Sequence, residues 1–69
     1  MVDQLANRIR EVREQHGWTQ AELAARIGVS RKTINTVENR VFTPSALIAL
    51  KLAQTFSLPV EDLFSISSE

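Results

Sequence analysis

Apolar residues recur along this chain at helical spacing, in short clusters broken by Gly, Pro, Ser and Thr. Leu5, Ile9, Val12 and His16 predict an amphipathic first helix over residues 3–16, with Asp3 as its N-cap and Gly17 as the left-handed residue that ends it. Thr19 and Glu22 form a T-x-x-E capping box, and Trp18 just before it is placed to staple against Leu23. A second helix follows over residues 20–27, and Gly28 makes the turn. Ser30 caps a third helix. At about 100° per residue, Ile34 and Val37 share its inner face. Lys32, Asn35, Thr36 and Asn39 share the outer one, with Arg31 at its edge.

Thr43 and Pro44 read as the N-cap and first position of a fourth helix, whose apolar face holds Leu47, Leu50 and Ala53, broadened by Ile48 and Leu52. Phe56 and Leu58 continue the core, and Trp18, Phe42 and Phe56 read as core aromatics. Pro59 opens a last short helix through residue 63 or 64. Residues 65–69 read as a frayed tail or a dimer contact. The pattern offers no strand and no internal repeat. The prediction is an all-α fold: one domain, residues 1–69, of five short helices.

Composition narrows this picture. With 69 residues and no cysteine, the chain has a small core and no disulfide to staple it, yet its 43 % hydrophobic content argues against disorder. No apolar run reaches the roughly 18 residues of a membrane span, and no leader-like region opens the chain, so a cytoplasmic protein with no membrane contact is expected. The net charge is zero but unevenly spread. Arg26, Arg31, Lys32, Arg40 and Lys51 face Glu38 alone in residues 26–51, whereas the last ten residues hold Glu61, Asp62 and Glu69 with no basic residue. A basic middle and an acidic end follow.

The run TQAELAARIGVSRKTINTVENR, residues 19–40, thus reads as two short helices around a tight turn, the second with a dense polar face. Together with Pro44 and the closing VEDLF of residues 60–64, it resembles the helix-turn-helix domain of phage repressors and Cro proteins, over residues 7–64. The physics agrees: Ala24 is small where two helices approach, Gly28 permits a positive φ, and the third helix offers its first residues outward. Arg31 and Lys32 suit guanine O6 and N7. Asn35 suits adenine or a phosphate, and Thr36 a thymine methyl or a phosphate.

The resemblance implies that Gln20, Ser30, Asn39, Arg40 and Thr43 hold phosphates, which fixes register without reading sequence. Arg40 stands where the family often has Gly. The resemblance also implies a partly buried Arg13–Glu38 ion pair between helices one and three. Arg8 and Arg10 read as solvated helix surface, with phosphate contact as their alternative.

The expected function is sequence-specific binding of double-stranded DNA by a transcriptional regulator, a repressor acting as a homodimer on a palindromic operator through the major groove. Val60, Phe64 and Ile66 are the expected dimer residues, since so small a domain leaves apolar positions near its end uncovered. The alternative is a helical protein-interaction module, antitoxin-like or an adaptor, with weak or no DNA binding. A regulatory protein partner fits either reading. An enzyme is not expected: a single histidine at a helix end and two glycines supply neither a catalytic triad nor a phosphate loop. Without cysteine or a second histidine, no metal site and no cofactor are expected.

Overall fold

The computed structural model describes residues 3–68, in the order β1 (Asp3–Asn7), α1 (Ile9–Gln15), α2 (Gln20–Ile27), α3 (Arg31–Glu38), α4 (Ala46–Phe56), α5 (Val60–Leu63) and β2 (Phe64–Ser68). The five helices stand as expected. The ends do not. Residues 3–7 are a strand, paired antiparallel with β2 in the register Asp3↔Ser68 to Asn7↔Phe64. Helix α1 therefore starts at Ile9, and Asp3 is not its cap. The start is set by Asn7, whose Oδ1 accepts the Ile9 N–H at 3.1 Å, a side-chain turn that competes with helix before it. Leu5 meets the core from the strand, and its spacing of four from Ile9 is helical only by coincidence. Expecting a frayed tail misses β2 because its ladder partner lies some sixty residues earlier, beyond any local signal. Residues 1, 2 and 69, which the single-domain reading included, lie outside the described residues.

Helix α4 also starts later than expected. Its N-cap is Ser45, whose Oγ accepts the Ile48 N–H at 3.2 Å, and Thr43 and Pro44 belong to the connection before it. This helix is apolar on most sides, so periodicity does not choose its inner stripe. Leu52, Ala53 and Phe56 are buried, while Leu47 and Leu50 face outward. Phe42 is likewise exposed, at the lip of a shallow groove with Thr36, Val37, Pro44 and Ile48, and is no core aromatic.

The core gathers Ile9, Val12, Leu23, Ala24, Ile27, Ile34, Val37, Leu52, Phe56, Leu63 and Phe64 from every helix and from β2. Each of the larger side chains contributes roughly 1.5–3 kcal/mol by leaving water. Trp18 closes one end, stacked on Phe56 with ring centres 5.9 Å apart and covered outside by the Arg26 guanidinium at 4.0 Å. His16 packs at 4.5 Å from Trp18. Its Nδ1 lies 2.9 Å from the Val12 carbonyl.

Candidate nucleic-acid interface

The surface is built by the α2–turn–α3 unit. Thr19 Oγ1 accepts the Glu22 N–H at 3.1 Å and Glu22 Oε1 accepts the Thr19 N–H at 3.0 Å, closing the capping box. Those bonds to Thr19 hold the Glu22 carboxyl below its ordinary pKa. Gly28 ends α2 at φ 73°. A Cβ there would meet nothing within 4 Å, so the demand for glycine is one of backbone conformation and not of space. Lys51 of α4 donates to the Ile27 carbonyl at 3.3 Å, tying down this end of α2. Ser30 then caps α3, its Oγ accepting the Thr33 N–H at 3.1 Å.

On α3, Ile34 and Val37 point into the core and Arg31, Lys32 and Asn35 lie exposed. Gln20, from the first turn of α2, joins those three around one shallow concavity. Thr36 is half-buried, its hydroxyl donating to the Thr33 carbonyl at 3.0 Å. Ser30 and Thr43 line a neighbouring groove with Lys32. The structure thus brings Gln20, Arg31, Lys32 and Asn35 together on one side, with Ser30, Thr36 and Thr43 beside them.

Asn39 and Arg40 are set by the turn that ends α3. Asn39 Nδ2 donates to the Asn35 carbonyl at 2.9 Å, and its Oδ1 accepts from Arg10 at 3.2 Å. Arg40 adopts φ 61°, the left-handed conformation that glycine takes at this point in many helix ends, and its Nε reaches the Leu5 carbonyl of β1 at 3.4 Å.

Behind the surface sits Glu38. Its side chain is shut off from solvent, and Arg13 grips it with Nε at 2.7 Å from Oε2 and Nη2 at 3.3 Å from Oε1. Arg13 also donates to the Trp18 carbonyl at 2.8 Å. Two further donors were not foreseen: Gln20 Nε2 at 3.1 Å and Arg10 Nε at 3.5 Å, both on Oε1. Arg10 is one helical turn from Arg13, the only hint in the sequence. Burial disfavours the charged Glu38, but the hydrogen bonds from Arg13 and Gln20 outweigh it and the pKa is lowered. The hydrogen bond to Glu38 raises that of Arg13.

Val60 and Phe64 do not form an open apolar patch. Phe64 is buried in the core and Val60 is half-buried against it, because β2 folds back beside α5. Ile66 alone of the three is exposed, at 76 %.

Of the chain's eight basic residues, six are engaged. Arg8 pairs with Glu11, Arg10 and Arg13 with Glu38. Arg26 lies on Trp18, Arg40 on Leu5 and Lys51 on Ile27. Arg31 and Lys32 have no ion-pair or hydrogen-bond partner among the described residues. Both stand in the first turn of α3, which contains no acidic residue. Two cations at the positive end of a helix dipole are mutually unfavourable unless an anion is brought to them.

A helix-turn-helix family model matches residues 9–63 of the chain. An HTH-type transcriptional regulator of Archaeoglobus fulgidus is 43 % identical over 65 residues, covering 94 % of this chain and 93 % of the relative. Antitoxin HipB of Escherichia coli K12 is 42 % identical over 55 residues, covering 80 % of this chain and 62 % of HipB. Among solved structures, one described as a DNA-binding protein from Bacteroides fragilis superposes with a TM-score of 0.78 at 26 % identity, covering 88 % of this chain and 98 % of the other. Among the described residues, no helix is long and apolar enough to cross a membrane.

Proposed function

Because this chain belongs to the Cro/C1-type helix-turn-helix family of DNA-binding transcriptional regulators, we propose that it is a sequence-specific repressor that binds a palindromic operator as a homodimer, with α3 in the major groove. The observation that carries the reading is the pair Arg31 and Lys32, the cationic side chains left unengaged among the described residues, at the exposed start of α3. Arg31 and Lys32 read guanine edges, and Asn35 and Thr36 reach the next positions along the groove. Gln20, Ser30, Asn39, Arg40 and Thr43 hold phosphates on either side. About four base-reading side chains are too few for selective binding at one half-site, which is the reason for a second copy about 34 Å away. Occupancy of a promoter by such a dimer is enough to repress.

The likeness to an antitoxin supports a second reading, in which the domain is a protein-interaction module with weak or no DNA binding. Gel-shift titration on random duplex over a range of salt separates the two. Each phosphate contact contributes a slope of about −0.9 in log K against log salt. Affinity that is flat across salt, or absent, would leave the protein-interaction reading standing.

A further inference from the structure

The two-stranded ribbon has two outer edges, and they are not alike. The Arg8 N–H donates to the Leu63 carbonyl at 2.9 Å, one step beyond the pair Asn7↔Phe64. Hydrogen-bonded pairs alternate along an antiparallel ladder, so Ala6↔Ser65 and Gln4↔Ser67 are bonded to each other, whereas Leu5↔Ile66 and Asn7↔Phe64 turn their main-chain groups outward. The outer edge of β1 is covered: the Leu5 carbonyl takes Arg40 Nε, and Asp3, Gln4, Leu5 and Asn7 wall a groove against the α3–α4 connection. On the outer edge of β2 the Phe64 N–H is used by the Val60 carbonyl of α5. Among the described residues, that leaves the Phe64 carbonyl and the main-chain groups of Ile66 and Ser68, around an Ile66 side chain that is 76 % exposed.

We propose that β2 pairs antiparallel with the β2 strand of a second copy across a two-fold axis at Ile66, joining two ribbons into one four-stranded sheet. This rests on the homodimer reading above and names its contact. Each Ile66 N–H donates to the other Ile66 carbonyl, and each Ser68 N–H to the other Phe64 carbonyl, so the free main-chain groups of Phe64 and Ile66 find their complements across the axis. The two Ile66 side chains come side by side. The sequence of β2, FSISS, has no charge, proline or bulge-forming glycine to keep another strand away, the devices by which edges are ordinarily blunted. A neutral strand meets its own copy without like-charge repulsion, and the antiparallel arrangement carries Glu61 and Asp62 of each α5 to opposite ends of the sheet. The ribbon is also fixed to the C-terminal end of α3, through Asn7 Nδ2 on the Val37 carbonyl at 3.0 Å and through Arg40 on Leu5. The symmetry of the sheet thereby becomes the symmetry of the two helices that face DNA.

The test is sedimentation equilibrium of the full chain together with amide exchange at Ile66, on the wild type and on Ile66→Lys and Leu50→Lys. Leu50 is the control, an exposed apolar residue on α4. The wild type is expected to dimerise, with the Ile66 amide protected at high concentration and released on dilution. Ile66→Lys should keep the helical circular dichroism and weaken the dimer about ten-fold or more, as a central interface residue does. Leu50→Lys should leave it unchanged. A wild-type dimer whose Ile66 amide exchanges freely, or which Leu50→Lys and not Ile66→Lys dissociates, overturns the strand contact and leaves the homodimer intact. A wild type that stays monomeric, and binds duplex as a monomer, overturns both and leaves the edge to a strand from a different protein.

Discussion

Arg13 meets Glu38 side-on, with Nε at 2.7 Å from Oε2 and Nη2 at 3.3 Å from Oε1, and so ties α1 to the last residue of α3. The orientation of the exposed face of α3 depends on this grip from behind. Breaking such a pair from one side leaves a shielded charge alone, which is more damaging than removing both. Glu38→Ala is expected to destabilise the domain by about 3 kcal/mol, a large share of the roughly 5 kcal/mol available to so small a fold. Denaturant unfolding of the two single variants and of the double variant with Arg13→Ala measures it. A double variant as unstable as the sum of the singles would show that the residues do not act as a pair.

The same carboxylate sets an acid limit. Burial works against its charge, but the donors around it hold the folded-state pKa below the ordinary 4.5. A lowered carboxylate pKa stabilises the fold fully above the unfolded value, and the contribution drains away as pH falls from there through the lower folded value. Stability should therefore be level down to about pH 5 and decline below it. Glu38→Gln, although less stable at neutral pH, should lose much of that acid slope. Melting temperatures of both proteins from pH 3 to pH 7 (roughly the span that brackets the carboxylate) make the comparison.

Helices α2 and α3 were legible to their ends in the sequence because each carries its own boundary chemistry. Thr19–Glu22, Gly28 and Ser30 are local signals, and the structure uses all of them as caps or turns. The ribbon was not legible, because a strand is specified by its partner and the partner of residues 3–7 lies at residues 64–68. The stripe of α4 was ambiguous for a different reason: Leu47, Ile48, Leu50 and Leu52 look alike in sequence, and only the packing decides which face inward. At the candidate interface, residue types and helical spacing placed Arg31, Lys32 and Asn35 on an open face. That Gln20 and Arg10 converge on Glu38 needed the fold, since it joins three helices.

Arg40 sits in a conformation suited to glycine, at φ 61°. A non-glycine residue there is disfavoured by roughly 1 kcal/mol, and its single long bond to Leu5 at 3.4 Å returns only part of that. Arg40→Gly is expected to raise stability by about 0.5 kcal/mol. If the guanidinium also serves a phosphate, the variant should bind duplex more weakly, with a salt slope shallower by about 0.9. Higher stability with an unchanged slope would remove Arg40 from the phosphate set.

Reading and holding are separable at Arg31 and Gln20, which share one concavity but differ in what they have left to offer. Arg31 is exposed and unengaged, with its whole donor fork available. One amide proton of Gln20 is committed to Glu38, which fixes the side chain near the start of α2 and leaves its second proton for an oxygen of the DNA backbone. Arg31→Ala should weaken the preferred operator by about 1–3 kcal/mol while hardly changing random duplex, so that sequence preference relaxes at one position in each half-site. Gln20→Ala should weaken preferred and random duplexes alike and leave the preference intact. It should also cost about 1 kcal/mol of stability or less, since Arg13 and Arg10 still satisfy Glu38. Selection of bound sites from a random duplex pool, followed by affinity measurements on the winning and scrambled sequences, reads both effects at once. The opposite pattern, with preference lost at Gln20 and uniform weakening at Arg31, would exchange the two roles: the adenine-matching amide would read the base and the guanidinium would hold the phosphate.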